Sequence, residues 1–360
     1  MWKKTTLFLV VTVLLMSVAG CSRAGYEKFS GSFFDSFDTY TTIVGYFQSE
    51  EEFDRYFNQM ESRLKELHKL FDKFNSYDGI NNIKTINDNA GVKPIQVEQE
   101  LIDLILFSKE WYQKAGAKTN IALGPVLEVW QDYFNDASYD PNHAAIPSIE
   151  ELQAVSMLTN LDKVIVDETN GTVFLMEKGM SLDVGAVAKG FATEIVAKEA
   201  MEAGFVSGIL SIGGNICTIG QPLDGVRQKW GIGIQDPDKP VVNDVQNTLD
   251  TLYVNDASVV SSGDYQRYYI YEGKRIHHII DPETFMPGEN FRAVTVVSKD
   301  AGIADFFSTT LFLLTYEEGL SLVNRFDGIE AVWVMPDKTV RFSDGMNQIL
   351  KSQGASGFAE

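Results

Sequence analysis

Short strand-like runs that follow one another without an intervening helix constrain the fold of this chain more than any other feature. They occupy residues 164–166, 173–176, 209–212, 231–234, 251–254, 258–261, 268–271, 276–280 and 293–298. A doubly wound parallel sheet needs a helical crossover between most consecutive strands, and several of these runs are too close together to accommodate one. The sequence therefore predicts an α+β fold with mixed or antiparallel sheets and flanking helices.

Helical periodicity predicts the elements that flank these sheets. Ser49 followed by Glu52 is a capping-box pattern. Apolar side chains then recur at steps of four and three from Phe53 to Phe74, which predicts one long helix with a buried stripe. Further helices are predicted over 98–115, 184–203, 303–315 and 317–326, loops over 75–91 and 135–148, and a closing hairpin over 331–342.

The composition is that of a packed and strongly acidic protein. Apolar residues make up 44% and charged residues 22% of the 360 residues, which is ordinary for a globular chain. Fifty acidic against 30 basic side chains give a formal charge of −20. This excess argues against DNA or RNA as a partner, because phosphate backbones bind positive surfaces. Two cysteines, Cys21 and Cys217, do not amount to a disulfide framework.

The first 20 residues have the features of an export signal. Lys3 and Lys4 precede an apolar run over 7–16, and small residues lead to Cys21. A cysteine directly after Val-Ala-Gly matches the bacterial lipoprotein signal, in which the thiol is acylated; a simple secretory peptide or an N-terminal anchor is the alternative. The predicted organisation is a removed signal peptide over 1–20, a lipidated tether over 21–30, one folded domain over 31–350 and a loose tail over 351–360. The protein is then exported and held by its lipid at the extracytoplasmic face of a bacterial membrane.

The stretch Ser-Leu-Asp-Val-Gly-Ala-Val-Ala-Lys-Gly at 181–190 is the most informative one for chemistry. Asp183 stands where a strand is expected to give way to a helix, and small residues keep the first turn of that helix open. Backbone N–H groups at such a helix start suit a phosphate, and Lys189 lies one to two turns further on. The alternative is an N-capping aspartate on an ordinary packing helix.

Asp305, Ser308 and Thr309 share one face of a predicted helix, because they are three and four residues apart. Grouped oxygen ligands of this kind suit Mg²⁺, which keeps part of its water shell and bridges substrate phosphates. The alternative is a helical aspartate with hydroxyls that bond back to the carbonyl four residues earlier. Apolar neighbours would bury this polar face, and buried oxygens need partners.

Three weaker signals complete the set. His277 and His278 point to opposite faces at a strand end, where one of them could act as a base; a surface pair or one buried histidine is the alternative. Gly213 and Gly214 suit either a close backbone approach to a ligand or a simple turn. Tyr77 follows the long helix, where it could stack on a planar ring or lie at the surface.

Taken in order, these stretches resemble the ApbE family, the FAD:protein FMN transferases. The matching segments are Phe-Asn-Ser-Tyr at 74–77, Gly-Pro at 124–125, the 181–190 stretch, Ser-Ile-Gly-Gly-Asn at 211–215, Trp-Gly-Ile-Gly-Ile-Gln-Asp-Pro at 230–237, His-Ile-Ile-Asp-Pro at 278–282 and Ala-Asp-Phe-Phe-Ser-Thr at 304–309. The resemblance implies an ApbE-like flavin transferase fold for the domain over 31–350.

The resemblance implies a Mg²⁺-dependent reaction in which the FMN half of FAD moves onto a threonine hydroxyl of a target protein and AMP leaves. The acceptors would be flavin-accepting subunits of membrane redox complexes or exported flavoproteins. His278 would be the base that takes the threonine proton. The residues expected to contact FAD are Tyr77, Ala122, Leu123, Gly124, Asp183, Lys189 and Ile280. The residues expected to hold the metal are Ala186, through its carbonyl, and Asp305, Ser308 and Thr309.

Two other functions are compatible with the same residues. The protein could be an FAD pyrophosphatase that hydrolyses FAD to FMN and AMP with water, or a non-catalytic FAD-binding lipoprotein. The chain also departs from the family pattern on the FAD side. It reads Thr-Asn-Ile-Ala-Leu-Gly-Pro at 119–125, where relatives commonly carry an acid and a hydroxyl, and it lacks an early Met-Gly-Thr near 37–42.

Overall fold

A computed structural model describes residues 25–239 and 247–359 of the chain. The signal region and Cys21 lie outside the described residues. The strands are β1 (Glu27–Ser36), β2 (Thr39–Phe47), β3 (Ile95–Gln96), β4 (Val164–Asp167), β5 (Thr172–Leu175), β6 (Gly208–Ile212), β7 (Asn215–Ile219), β8 (Trp230–Gln235), β9 (Thr248–Val254), β10 (Ser258–Gly263), β11 (Tyr268–Tyr271), β12 (Lys274–His277), β13 (Ala293–Ser298), β14 (Glu330–Val334) and β15 (Val340–Phe342). The helices are α1 (Glu50–Phe71), α2 (Ile83–Asp88), α3 (Gln99–Lys114), α4 (Gly124–Tyr139), α5 (Ile149–Ser156), α6 (Ala188–Glu202), α7 (Ala301–Leu313) and α8 (Tyr316–Val323).

The main sheet has eight strands in the order β1-β2-β6-β7-β10-β13-β14-β15, and each neighbouring pair is antiparallel. The described residues also form three smaller antiparallel sheets, with the orders β3-β5-β4, β8-β9 and β11-β12. The predicted α+β class, with antiparallel sheets and flanking helices, is confirmed.

Alternate residues of the main sheet face two different apolar layers. Val260 and Val296 join the main core with helices α1, α6 and α7. Their neighbours Val259 and Val297 pack on the opposite side, in a cluster around Trp230 of β8. The period of two along each strand therefore separates a helical layer from a small strand layer.

A third apolar cluster attaches helix α4 to the β11–β12 hairpin. Trp130 and Phe134 of α4 pack with Tyr269 and Ile276 of the hairpin. The Trp130 indole N–H donates to the Phe285 carbonyl at 2.8 Å. This cluster packs against the hairpin that ends at His277, the first residue of the histidine pair.

The predicted first helix begins as expected but ends earlier. The Ser49 hydroxyl accepts a hydrogen bond from Glu52 N at 3.2 Å. The helix ends at Phe71, where Asp72 turns the chain by accepting from Phe74 N at 2.6 Å. Phe74 is 56% exposed, so its assignment to the buried stripe was wrong.

Two predicted loops contain helices. Helix α2 lies within 75–91 and is capped by a reciprocal pair of hydrogen bonds between Asn82 and Thr85; its six residues are too few for a periodic signal. Helix α4 runs into the predicted connection 135–148 as far as Tyr139. The sequence feature that marks the beginning of this helix is Pro125 in its first turn.

Parts of both predicted terminal segments belong to the fold. Residues 27–30, assigned to the tether, pair in β1 with residues 44–47 of β2. In the tail, residues 351–353 form a short 3₁₀ helix, and the Gly357 carbonyl accepts from Gln228 N at 2.7 Å. The described part of the tail is therefore attached rather than loose. Within the residues described, no helix has both the length and the apolar character to span a bilayer.

Candidate active site

A cleft of about 420 Å³ opens where the α6–α7 pair, the start of α4 and the end of β12 meet. The predicted site residues that line it are Leu123, Asp183, Ala186, Lys189, His278, Ile280, Asp305 and Thr309. The predicted site residues that lie outside its wall are Tyr77, Ala122, Gly124 and Ser308. Two segments far apart in sequence, 181–190 and 304–309, thus contribute to one site.

Asp183 stands before a turn rather than at a helix start. Helix α6 begins only at Ala188, and the Asp183 Oδ1 atom accepts from Gly185 N at 2.9 Å within the turn. This geometry corrects both sequence interpretations, the phosphate-binding helix start and the helix N-cap. The Asp183 Oδ2 atom lies 2.6 Å from the Lys73 ammonium. Burial alone would raise the pKa of Asp183, but Lys73 and the Gly185 N–H outweigh burial and hold this pKa below its ordinary value.

Asp305 is a buried carboxylate in the second turn of α7, with 5% of its surface exposed. Its Oδ2 atom accepts from Gly190 N at 2.7 Å, which connects α7 to the 181–190 stretch. Burial raises the pKa of Asp305, while Lys189, the Gly190 N–H and the Asn215 amide act in the opposite direction. The Asn215 Nδ2 atom is buried beside this carboxylate, yet it makes no hydrogen bond of normal geometry with any described residue. A cation at Asp305 would keep the carboxylate ionised.

Gly190 allows α6 and α7 to cross this closely. A Cβ atom at this position would lie 2.3 Å from the Ala301 carbonyl oxygen and 2.4 Å from the Asp305 Cβ atom. Any side chain here would displace Asp305 or separate the helices, because backbone atoms of α7 cannot yield as a flexible side chain can. The final glycine of the 181–190 stretch is therefore a packing requirement of the site.

Thr309 lies in the cleft wall one turn after Asp305, but Ser308 does not. Ser308 is fully buried, and its hydroxyl donates to the Asp305 carbonyl and pairs with the Ser262 hydroxyl, both at 2.8 Å. This resembles the alternative of a hydroxyl that bonds back within the helix, but the acceptor is the carbonyl three residues earlier instead of four. Of the four predicted metal ligands, those that line the cleft are Asp305, Thr309 and Ala186, the last through its backbone carbonyl.

The two adjacent histidines occupy different environments. His277 is buried, and its Nδ1 atom accepts from Ile279 N at 3.2 Å, so Nε2 carries the proton and donates to the Gly288 carbonyl at 2.8 Å. His278 lines the cleft, and its Nδ1 atom lies 3.2 Å from the Arg267 carbonyl. Because a carbonyl only accepts, Nδ1 of His278 carries the proton and Nε2 keeps a free lone pair.

The His278 side chain is exposed at the cleft, in a region dense in protein atoms. Desolvation lowers the pKa of His278 to about 4; the hydrogen bond to the Arg267 carbonyl opposes this shift, and the charges of Lys189 and Arg267 reinforce it. At neutral pH the imidazole is therefore uncharged and able to accept a proton.

Tyr77 does not line the cleft, whereas the neighbouring Phe74 does. The Tyr77 hydroxyl donates to Asp72 Oδ2 at 2.7 Å, and burial together with this carboxylate raises the pKa of Tyr77 to about 12. Phe74 lines the cleft, with the Lys73 ammonium 4.9 Å from its ring centre. An exposed aromatic face beside a cleft offers a platform for a planar group.

The segment before α4 supports the cleft from behind. Leu123 lines the cleft, whereas Ala122 is fully buried in the core. A Cβ atom at Gly124 would lie 2.4 Å from the Ser181 carbonyl oxygen, so close packing explains this glycine. The Ile121 carbonyl accepts from Asp183 N at 2.8 Å and thereby attaches the segment to the 181–190 stretch.

Two lysines of the cleft wall, Lys73 and Lys118, form ion pairs that had no signal in the sequence. Lys73 pairs with Asp183, and Lys118 lies 3.0 Å from Asp281 and 2.9 Å from Glu283. Burial would lower the pKa of Lys118, but the two carboxylates outweigh burial and raise it. Sequence spacing cannot predict such pairs, because the partners come from different elements of the fold.

The donor set of the cleft fits a magnesium ion better than a metal held by protein side chains alone. Among residues 25–239 and 247–359, no three His, Cys, Asp or Glu side chains group in a way that could hold a metal. Mg²⁺ needs fewer protein ligands, because it keeps waters and is completed by substrate phosphates. One buried carboxylate, one hydroxyl and one backbone carbonyl are donors of this kind.

Comparison with known proteins gives a consistent picture. A sequence model described as the ApbE family matches residues 37–333. A Klebsiella pneumoniae protein named FAD:protein FMN transferase is 32% identical over 262 residues, which cover 72% of this chain and 77% of the relative. A Treponema pallidum protein of the same name is 32% identical over 282 residues, covering 73% of each chain.

Solved structures share the fold. The crystal structure of the ApbE protein from Thermotoga maritima superimposes with a TM-score of 0.76 at 25% identity and covers 89% of this chain and 98% of its own. The flavin transferase ApbE from Vibrio cholerae has a TM-score of 0.72 at 19% identity and covers 90% of this chain and 99% of its own. At this identity the second likeness is one of fold alone.

Proposed function

The chain belongs to the ApbE family, and we propose that it is an FAD:protein FMN transferase that uses Mg²⁺ and modifies a threonine hydroxyl. The observation that carries the proposal is the presence in one cleft of a buried carboxylate, Asp305, and an uncharged histidine, His278. A base beside an oxygen-donor set is what transfer of a phosphoryl-linked group to a hydroxyl needs.

The substrate has two parts, and the cleft offers a different surface to each. The exposed ring of Phe74 suits the planar isoalloxazine. Lys189 and the residues of the 181–190 turn suit the diphosphate, whose negative charge would otherwise be repelled by this acidic protein. Ile280 and Leu123 add apolar contact at the cleft wall.

Asp305, Thr309 and the Ala186 carbonyl would hold the metal. When bound there, Mg²⁺ neutralises charge on the diphosphate and makes the phosphorus a better electrophile. The Gly190 N–H orients the Asp305 carboxylate, and burial excludes water from its rear face.

His278 activates the acceptor. Its Nε2 atom takes the proton of the threonine hydroxyl, whose oxygen attacks the phosphorus on the FMN side. A new bond joins the threonine oxygen to that phosphorus, the bond from the phosphorus to the bridging oxygen breaks, and AMP leaves with that oxygen. The Arg267 carbonyl fixes the imidazole tautomer in which Nε2 can act as the base.

The proposal is tested by the fate of FAD. The full-length protein with FAD, Mg²⁺ and a threonine-containing acceptor peptide should release AMP and form peptide-bound FMN, resolved by chromatography. AMP release with free FMN alone would assign the protein to FAD hydrolysis, and FAD binding without AMP release would assign it to FAD binding only.

The low pKa of His278 predicts an unusual pH profile. Because that pKa is lowered to about 4, the base is fully available at pH 6, and kcat/KM should not fall between pH 8 and about 6 at saturating Mg²⁺. The value of kcat/KM should fall only as the pH approaches the lowered pKa of His278. A descending limb centred near the ordinary histidine value of about 6.5 would contradict this assignment. Burial raises the pKa of Asp305, so the profile is measured at saturating Mg²⁺, which would keep that carboxylate ionised.

We further propose that the mature protein is anchored by acylated Cys21. Strand β1 begins at Glu27, so at about 3.5 Å per residue the fold starts within roughly 20 Å of the lipid. Metabolic labelling with a fatty-acid analogue should mark the wild-type protein and not Cys21→Ala. Cys217→Ala is the matched control and should keep the label, because Cys217 is buried. Label that persists in Cys21→Ala would contradict the anchor. The acceptors would be flavin-accepting subunits of membrane redox complexes or exported flavoproteins.

A further inference from the structure

Four cationic side chains line the cleft, and they differ in whether their charge is already neutralised. Lys73 pairs with Asp183 at 2.6 Å, and Lys118 pairs with Asp281 at 3.0 Å. Lys189 donates to the Gly185 carbonyl, a neutral group, at 3.3 Å. Arg267 forms no ion pair with a carboxylate of the described chain. The charges available to an anionic substrate are therefore those of Lys189, to which the diphosphate is already assigned, and of Arg267, to which no ligand has been assigned.

The guanidinium of Arg267 is held in place by neutral groups. Its Nη2 atom donates to the Gln131 side-chain oxygen at 2.9 Å, and its Cζ atom lies 5.8 Å from the centre of the Phe134 ring. Gln131 and Phe134 both belong to α4 and line the cleft. These contacts restrict the side chain and use one of its five N–H donors, so four donors and a full charge remain.

Arg267 also lies close to the reacting groups. Its carbonyl accepts from the His278 ring at 3.2 Å. Its charge also acts on the carboxylate of Asp183, another residue of the cleft wall, and makes a small contribution to lowering the pKa of that group. Arg267, His278 and Asp183 thus line the same cleft, with the guanidinium held against α4.

We infer that Arg267 binds the diphosphate of FAD and offsets the negative charge that develops on AMP as the bond to the bridging oxygen breaks. The inference rests on the proposed function, because it assigns a residue to the same substrate. Guanidinium groups pair with phosphate oxygens through two parallel hydrogen bonds, and such bonds are stronger than neutral ones. A preorganised cation aimed at developing charge lowers the barrier without reorganisation at the moment of reaction.

The test compares ligands with and without phosphate. Full-length wild-type protein, Arg267→Ala and Arg267→Lys are titrated with FAD, ADP and riboflavin by calorimetry. We expect Arg267→Ala to lower the affinity for FAD and for ADP by about ten- to a hundredfold, the range for a hydrogen bond to a charged group. The affinity for riboflavin should be unchanged, and Arg267→Lys should lie between the other two for FAD.

Two controls separate this role from a structural one. Lys274→Ala removes a positive charge from the same hairpin at an exposed position outside the cleft wall, and it should leave all three affinities unchanged. The His278 ring bonds to the main chain of Arg267, so both variants keep that contact. Arg267→Lys also keeps the charge that helps to lower the pKa of His278, so its pH profile of kcat/KM should match the wild type, while the maximal rate of AMP release falls.

Three results would overturn the inference. Unchanged affinity of Arg267→Ala for FAD and ADP would show that Arg267 does not contact the phosphates. An equal loss of affinity for riboflavin would indicate a general effect on the cleft. Unchanged FAD affinity with a raised KM for the acceptor would assign Arg267 to the acceptor instead. A failure of the proposed function looks different, because the wild type would then form no peptide-bound FMN while the phosphate-dependent affinities still differed between variants.

Discussion

Replacement of Asp305 by alanine is expected to abolish Mg²⁺-dependent FMN transfer, with a loss of roughly a thousandfold or more, equivalent to about 4 kcal/mol. Asp305 is the carboxylate that the cleft offers beside Thr309 and Ala186, and it is buried and oriented by Gly190 N at 2.7 Å. Without it the diphosphate keeps its charge, and the phosphorus is a poor electrophile. The measurement is the rate of AMP release from FAD at increasing Mg²⁺ concentration.

Two further variants separate ligation from folding. Asp305→Asn keeps an oxygen that can accept from Gly190 N. Its free energy of unfolding should therefore match that of the wild type, while its loss of transfer activity should be similar to that of Asp305→Ala. Ser308→Ala should lower the free energy of unfolding by about 1 kcal/mol, because a buried hydrogen-bonded hydroxyl is lost, while the Mg²⁺ concentration for half-maximal rate stays the same. AMP release from Asp305→Asn at the wild-type rate would show that Asp305 is not a metal ligand. A higher Mg²⁺ concentration for half-maximal rate in Ser308→Ala would show that Ser308 is one.

Replacement of His278 by alanine is expected to slow transfer by about a hundred- to ten-thousandfold, the usual contribution of a positioned general base. FAD affinity should change little, because the ring acts on the acceptor hydroxyl rather than on the flavin. This separation distinguishes a transferase from a protein that only binds FAD, which has no use for a base. Pre-steady-state measurement of AMP release together with FAD titration gives both quantities from one preparation.

The neighbouring histidine provides the matched control. His277 is hydrogen-bonded through both ring nitrogens, to Ile279 N and to the Gly288 carbonyl. His277→Ala should therefore lower the free energy of unfolding, by about 1–3 kcal/mol for the unsatisfied backbone groups, and at temperatures where the variant is folded its transfer rate should exceed that of His278→Ala. Equal rates in wild type and His278→Ala would contradict the assignment of the base.

The parts of the fold that could be predicted from sequence are those with a local physical signal. The antiparallel α+β architecture followed from strand-like runs too close together for crossovers, and α1 followed from its capping residue Ser49 and its apolar period. Helix α2 is too short to show a period, and the spacing of α1 continued by chance to Phe74, where Asp72 had already turned the chain.

The candidate site shows the same division. Asp183, Asp305 and His278 were identified because each stands in a short stretch with a recognisable arrangement. Tyr77 and Ser308 stand in such stretches too, but their hydroxyls are bonded to Asp72 and to the Asp305 carbonyl, contacts that only the fold reveals. Lys73, Lys118 and Arg267 reach the cleft from three different segments, so no spacing in the sequence relates them to the site.

The most direct test of the account is to locate the flavin after the reaction. Full-length protein is incubated with FAD and two acceptor peptides that differ only in threonine or alanine at one position, with Mg²⁺ or with a chelator, and the peptides are analysed by tandem mass spectrometry. The account predicts the mass of FMN, less one water, on the threonine side chain in the presence of Mg²⁺ and on neither peptide with the chelator. Equal modification with and without Mg²⁺, or flavin on the alanine peptide, would contradict it.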